Sequence, residues 1–428
     1  TFYRGSFRLY RMPLRTPELE IEAGERATET VEAEPFEPPL QLTVDEEQKR
    51  PYKVKWDLEA PGFTIGVTDD GTFLTNLSLQ FSDLMGDHRL FVNASSVSDY
   101  ASYGATYLNV KNRFTWGAMA YDYRDYFVQY STGQRFQRRY RQTGGNFFVH
   151  YPFSRSYRME SAVGVMDSSY NQYLGTSPTT GEPLFAQYDD RLATVSLAFV
   201  GDTTRYQSFG PFQGKRFNVR ATYGAQMAGD YDGDWLEYRA DYRAYKQLTR
   251  RSLLAWRVAT VWNAGEREPS YGFGGINQLR GWEYREFFGS RVAWTNLEFR
   301  FPLVDEMRFP VLALQQIRGF FFLDAGAAWY ADGSWYDPYT GVIRADYSQP
   351  VPEIIQFKFW DNDNNRLQDG RASYGFGFQV FFIGGLQFNW VWSNRFDYTQ
   401  FLYDIDGSPI PTEADKGDTR QDFYIMFD

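Results

Sequence analysis

From about residue 59 to the end of the chain, apolar and polar side chains alternate with a period of two, in segments of about 8 to 13 residues set apart by turn residues. Such alternation marks strands with one apolar and one polar face, whereas a helix repeats its apolar positions every three or four residues. The clearest case is Leu386-Gln387-Phe388-Asn389-Trp390-Val391-Trp392-Ser393, where Leu386, Phe388, Trp390 and Trp392 share one face and Gln387, Asn389 and Ser393 make most of the other. In the stretch from Leu236 to Arg243, the charged Glu237, Arg239, Asp241 and Arg243 point one way and Leu236, Tyr238, Ala240 and Tyr242 the other. A row of charges suits neither a dry core nor lipid. It fits a hydrated lumen, or equally the wet face of a one-sided soluble sheet.

Segments of this kind lie near 59–68, 73–82, 87–97, 103–110, 113–123, 144–153, 155–167, 189–200, 214–226, 235–246, 252–262, 291–302, 318–329, 371–381, 384–393 and 422–428, about sixteen in all. Connections after even-numbered segments are mostly short, as at Lys111-Asn112, Ser154 and Ile383, while several after odd-numbered ones are long: 124–143, 168–188, 263–290, 330–370 and 394–421. The stretches 201–213 and 303–317 are the exceptions. Short turns at one end and long loops at the other are the asymmetry of an outer-membrane barrel, and a soluble meander has no reason to sort its loops by parity. The predicted fold is therefore all-β. It is a transmembrane antiparallel β-barrel of about 16 strands over 58–428 with an inward-folded loop, preceded by a short flexible segment, 1–57. In that segment a strand-like stretch, Phe7 to Met12, precedes an acidic, proline-bearing tether over 15–50. The chain opens at Thr1 in mid-pattern, as a mature or trimmed chain would.

Composition narrows the choice further. A mean hydropathy of -0.53 and no apolar run near the roughly 18 to 20 residues of a spanning helix exclude a helical membrane protein. Aromatic residues at 19% suit the girdles of a barrel better than a soluble domain. With no Cys and only His88 and His150, thiolate sites and histidine-based acid/base schemes lack parts, so neither an enzyme nor a bound metal or cofactor is expected. Asp361-Asn362-Asp363-Asn364-Asn365 suggests a calcium loop but lacks Gly at the sixth and Glu at the twelfth position, so it reads as a solvated loop. Asp230, Asp232 and Asp234 read as a turn. A net charge of -10 without a basic cluster argues against nucleic acid as a partner.

The sharpest motif, Phe273-Gly274-Gly275-Ile276-Asn277-Gln278-Leu279-Arg280-Gly281-Trp282, lies in the long loop before the twelfth segment. If the loop folds into the lumen, Arg280 becomes a nearly buried charge in need of carboxylates, and Gly281 lets the backbone turn sharply beside it. Glu298 and Asp324 both alternate with apolar neighbours, so both face the lumen as candidates. The alternative reading is an exposed loop arginine and two ordinary lumen carboxylates.

Leu279-Arg280-Gly281-Trp282 resembles the Arg-Gly-aromatic hallmark of the surface-antigen superfamily of outer-membrane assembly and secretion barrels typified by BamA. Asn296 to Pro302 is similar to that family's Glu-bearing strand, and Phe322-Leu323-Asp324-Ala325-Gly326 to its F-x-D-x-G strand. Asp202-Thr203-Thr204-Arg205 with Pro211 and Gly214 is like its D-T-R turn with one extra Thr. The resemblance covers roughly residues 55–428. It implies that Arg280 engages Glu298 and Asp324 as a structural lock, and that the protein resides in the bacterial outer membrane. It also implies insertion of membrane proteins or translocation of polypeptides, with client polypeptides and periplasmic accessory proteins as partners beside the outer-membrane lipid.

In such a barrel the seam between the first and last strands, at Thr64, Gly66, Phe423, Ile425 and Phe427, is the expected lateral gate. The family's periplasmic polypeptide-binding repeats have no counterpart before residue 55. The opening strand instead resembles the closing strand of a TolB-like propeller blade. A solute channel, or an anchor for a periplasmic domain, is the competing function.

Overall fold

The computed structural model describes residues 2–3, 6–7 and 52–427, apart from 68–72, 98–99, 132–133, 177–182, 208–209, 231–232, 267–268, 309–312, 336–343, 347–352, 382–385, 404–408 and 415–418. Near the start, Phe2–Tyr3 pairs with Ser6–Phe7. The expected strand beyond Phe7 and the tether over 15–50 lie outside the described residues.

Sixteen strands make the barrel: β1 (Trp56–Val67), β2 (Phe73–Asp83), β3 (His88–Val97), β4 (Tyr100–Asn109), β5 (Thr115–Ser131), β6 (Gln134–Pro152), β7 (Tyr157–Thr176), β8 (Pro183–Asp202), β9 (Gly210–Gly229), β10 (Trp235–Gln247), β11 (Leu253–Asn263), β12 (Arg291–Arg308), β13 (Ala313–Trp329), β14 (Arg371–Phe381), β15 (Leu386–Arg395) and β16 (Arg420–Phe427). Each pairs antiparallel with the next, and the strand order returns from β16 to β1. A short strand, Arg205–Gln207, pairs with the start of β9. Residue-to-residue register runs along every consecutive junction from β1–β2 to β15–β16.

The alternation resolves as a lipid face and a lumen face. Outward positions such as Phe63, Val163, Leu197, Phe321 and Trp390 are exposed, while Asn389, Val391 and Ser393 between the outward residues of β15 are buried. An apolar exterior over a polar interior inverts a soluble fold and is what a bilayer requires of a closed sheet. No described helix is long and apolar enough to cross a membrane.

Three stretches expected as loops are largely strand. β5 and β6 run through most of 124–143, β7 and β8 through most of 168–188, and β12 and β13 through most of 303–317. Apolar alternation reports only the part of a strand that faces lipid. Above it, sequences such as Asp122-Tyr123-Arg124-Asp125-Tyr126 carry no apolar face, yet the backbone ladder continues because each hairpin still satisfies its own N–H and C=O groups. A crossing needs about 9 to 11 residues. β7 and β8, at 20 residues each, therefore project well past the bilayer. Long connections remain at 264–290, 330–370 and 396–419, all after odd-numbered strands and so at one end of the barrel.

Candidate functional site

The 264–290 loop folds onto β12–β15 through a short ladder, Tyr271–Phe273 with Phe287–Gly289. Between its arms Gly274 and Gly275 turn at φ of 127° and 91°. The Gln278 side chain accepts the Gly274 N–H at 3.0 Å, and the Gly275 carbonyl accepts the Leu279 N–H at 2.8 Å. Phe273 and Leu279 are fully buried on either side of this turn. Gly281 follows at φ 85°, and a Cβ there would sit 3.1 Å from Ser393 Oγ on β15. The backbone thus lies close against the lumen wall at the residue next to Arg280, with the left-handed conformation that a side chain disfavours.

Arg280 is 4% exposed. Its Nε and Nη2 donate to the two oxygens of Asp324 at 2.6 and 2.7 Å, and Nη1 donates to Glu298 Oε1 at 2.7 Å. Asp324 is completely buried on β13. It also accepts Asn296 Nδ2 at 2.9 Å, and the same amide reaches the Gln278 carbonyl at 2.8 Å, which ties loop to wall. Arg300 takes the second oxygen of Glu298 at 2.8 Å. The guanidinium lies 3.8 Å from the ring centroid of Phe322. Two carboxylates, two guanidiniums and an aromatic face thus satisfy one another in a space with little water, an arrangement in which bidentate geometry offsets the cost of desolvation.

The alternation of β12 and β13 is what brings Asn296, Glu298 and Arg300 to one face, with Asp324 directly across from Asn296. Asn296, Arg300 and Phe322 are partners that sequence reasoning did not single out, although each lies two residues from a named carboxylate on its own strand.

Trp282, also buried, stacks edge-on with Phe287 and Tyr398 at 5.3 and 5.2 Å. Arg395 covers it at 4.0 Å while donating to the Gly281 carbonyl at 2.8 Å. Around Trp282 the three long loops build a small apolar core with Phe273, Leu279, Leu367, Tyr398 and Ala414. A second ion pair inside this cap, Arg344 with Asp369, was not anticipated. Both side chains are wholly buried; Asp369 also accepts the Lys358 N–H at 2.7 Å, and the guanidinium lies 4.5 Å from the Phe401 ring. On the near side of the loop Tyr271 donates to Glu237 of β10, and burial, then the adjacent carboxylate, pushes its hydroxyl well above the usual tyrosine range. Beyond Trp282, Glu283 pairs with Arg420 at the first residue of β16.

The remaining predicted positions lie elsewhere. Thr64 and Gly66 are on β1, and Phe423, Ile425 and Phe427 on β16. The Asp202 carboxylate accepts the Thr204 N–H at 2.8 Å, and the Thr203 hydroxyl bridges to Lys215 across the turn. The Asn364 side-chain amide donates to Asp361 at 2.8 Å and the backbone N–H groups of Asn364 and Asp363 add to it, which holds the carboxyl below the ordinary range and closes a turn. No group of three or more His, Cys, Asp or Glu among the described residues is placed to hold a metal.

No family model matches the sequence, and no curated protein does. Among solved structures the chain is similar to BamA from Haemophilus ducreyi lacking POTRA domains 1–3, at 12% identity and a TM-score of 0.55 over 86% of this chain and 76% of that one. CdiB from Acinetobacter baumannii aligns at 11% identity and a TM-score of 0.46 over 80% of this chain and 62% of that one. CdiB from Escherichia coli gives 12% and 0.47 over 88% and 67%. At these identities the likeness is one of fold: the chain is an antiparallel β-barrel with the architecture of BamA.

Proposed function

We propose that this barrel inserts proteins into the outer membrane or translocates polypeptides across it, with the junction of β1 and β16 as a lateral gate and the Arg280 loop as its brace. The observation that carries this reading is the buried network of Arg280 with Asp324 and Glu298. It fixes a loop against the lumen wall, where the loop narrows the pore that a diffusion channel needs open.

The seam supplies further support. Among the described residues β16 has eight residues against twelve in β1, so it is the shorter strand of this junction. Gly62 and Gly66 weaken β1 further. An edge of this kind is a template to which an extended client segment adds as another strand. Through the ion pair of Glu283 with Arg420 the brace touches the gate strand itself.

The chain contains no Cys, so a Thr64→Cys, Ile425→Cys pair introduces the only thiols. Under oxidising conditions the seam is locked, and growth and outer-membrane protein levels are compared with those after reduction. Loss of function on locking, restored by reductant, is the expected result. A fully cross-linked barrel that works normally overturns the gate and leaves a channel or an anchor as the role.

A further inference from the structure

On the far side of the barrel from the braced loop, the outward faces of β5 to β8 change character within a single row of the sheet. One row runs Ala118, Phe147, Val163, Val195 and is apolar; the next, toward the long-loop end, runs Ala120, Gly145, Val165, Ala193 and continues to Ala225 on β9. The row after that is Asp122, Thr143, Asp167, Arg191, and beyond it Arg124, Arg141, Ser169, Asp189. Phe147 and Val195 thus give way to Gly145 and Ala193, which leave a trough on either side of Val165, and the apolar rows end at a band of charge.

The charges are arranged rather than scattered. Arg141 holds Asp122 by Nε and Nη2 at 2.8 and 2.9 Å, and Arg191 holds Asp167 by the same two nitrogens at 2.6 and 3.1 Å. Each pairing uses one edge of its guanidinium and leaves the Nη1 donors without an acceptor among the described residues. Beside them Gln187 donates to Asp189 at 3.1 Å, and a cavity of about 540 Å³ opens among Arg141, Thr143, Asp167, Gln187, Asp189 and Arg191.

We infer that this face binds one molecule of a phosphorylated glycolipid from the surrounding leaflet, with its phosphate on the Nη1 donors of Arg141 and Arg191, its sugar hydroxyls donating to Asp167 and Asp189, and an acyl chain in the trough over Gly145 and Ala193. The cavity carries both signs of charge. A simple anionic headgroup would meet the carboxylates as repulsion, whereas a sugar phosphate presents acceptors to the arginines and donors to the aspartates. The site lies where lipid must pass from chain to headgroup, because the apolar band ends there. It is independent of the gate: none of its residues touches the braced loop.

The test is native mass spectrometry of the purified full chain in mixed micelles, titrated separately with bisphosphorylated lipid A, dephosphorylated lipid A and phosphatidylglycerol. Retention of one bisphosphorylated lipid A at least ten-fold more tightly than either other lipid supports the site. The R141Q/R191Q variant is expected to lose that preference, and Ala193→Phe to lower retention of the acylated lipid by filling the trough, both with barrels that still show heat-dependent migration. Equal retention of phosphatidylglycerol identifies ordinary boundary lipid and overturns the proposal. So does displacement of the lipid by inorganic phosphate alone, which would make it a soluble-anion site. The comparison of lipids on the unmodified chain decides the matter even where a variant fails to fold.

Discussion

The two sides of this barrel are held together in different ways. From β9 onward the structure has dry interiors: every residue of its three buried apolar clusters lies at or beyond Phe212, and the ion pairs Arg280–Asp324 and Arg344–Asp369 are sealed among them. On the outward face of β5 to β8 lie the pairs of Arg141 with Asp122 and Arg191 with Asp167, both arginine side chains more than half exposed, and long two-stranded ladders continue past the membrane without an apolar face. The same chemistry, arginine on carboxylate, therefore does different things. Where water is present it screens the pair, and the backbone ladder carries the fold. Where water is excluded, the pair is costly to break and fixes one position for a loop that could otherwise take many.

The largest effect expected from breaking that contrast is at Arg280. Arg280→Ala leaves Asp324 and Glu298 close together in a dry space with the loop's counter-charge gone, a loss on the order of 3 to 5 kcal/mol. The barrel itself, held by its ladder, should still fold and migrate as a folded band in detergent. The 264–290 loop should become sensitive to added protease, with a drop in activity of the kind proposed. A loop that stays protected in R280A would mean the apolar packing of Phe273, Leu279 and Trp282 suffices.

Arg344→Ala should cost about 3 kcal/mol, because it leaves Asp369 buried without its counter-charge, and the damage should stay within the cap. Replacing both partners, R344M/D369L, should recover most of it, since a well-packed apolar pair avoids desolvation altogether. Thermal melts of the two variants and the parent distinguish a pair that stabilises from one that only specifies. If the double variant is no better than R344A, the pair's geometry matters more than its charge.

How much of this was legible beforehand follows the same divide. All sixteen strands of the barrel, and the lumen orientation of Glu298 and Asp324, follow from period-two alternation, because a strand that faces lipid on one side must write that fact into every second residue. Arg280 stood out because it closes a glycine-bearing motif and is followed at once by a glycine and an aromatic. The long hairpins were not legible: a strand in water on both faces needs no apolar residue, and the stretch from Arg124 onward reads as loop. Nor was Arg344 with Asp369, since they lie 25 positions apart in a sequence without alternation and nothing periodic brings them together. Register positions are set by local rules, whereas loop-to-loop contacts are set by the closed structure as a whole.

Gly281→Ala tests the close approach rather than the charge. The left-handed backbone alone costs an alanine about 1 to 2 kcal/mol, and its Cβ would press on Ser393. The expected outcome is a loop displaced slightly from β15, visible as loss of a cross-link between cysteines placed at 282 and 393, while the Arg280 network survives. Should the cross-link form as efficiently as in the parent pair, the wall yields at Ser393 and the glycine's role is conformational only.

The smallest effect on stability is expected at Glu283, and it bears most directly on whether the braced side communicates with the seam. Glu283 is largely exposed, so its pair with Arg420 should contribute less than about 1 kcal/mol, and Glu283→Ala should leave the melt of the barrel almost unchanged. Arg420 begins β16, however, and sits opposite Ser393 in the last register pair of the β15–β16 ladder. Releasing it should let that end of β16 fray, raising hydrogen exchange at Arg420, Gln421 and Asp422 by up to roughly five-fold, the factor that corresponds to 1 kcal/mol. Exchange in the β12–β13 ladder around Asp324 should not move, because the buried network does not depend on the exposed pair. If exchange in β16 is also unchanged, the loop braces the wall alone, and any gating at the β1–β16 junction is governed by the short strand and its glycine-bearing partner rather than by Arg280.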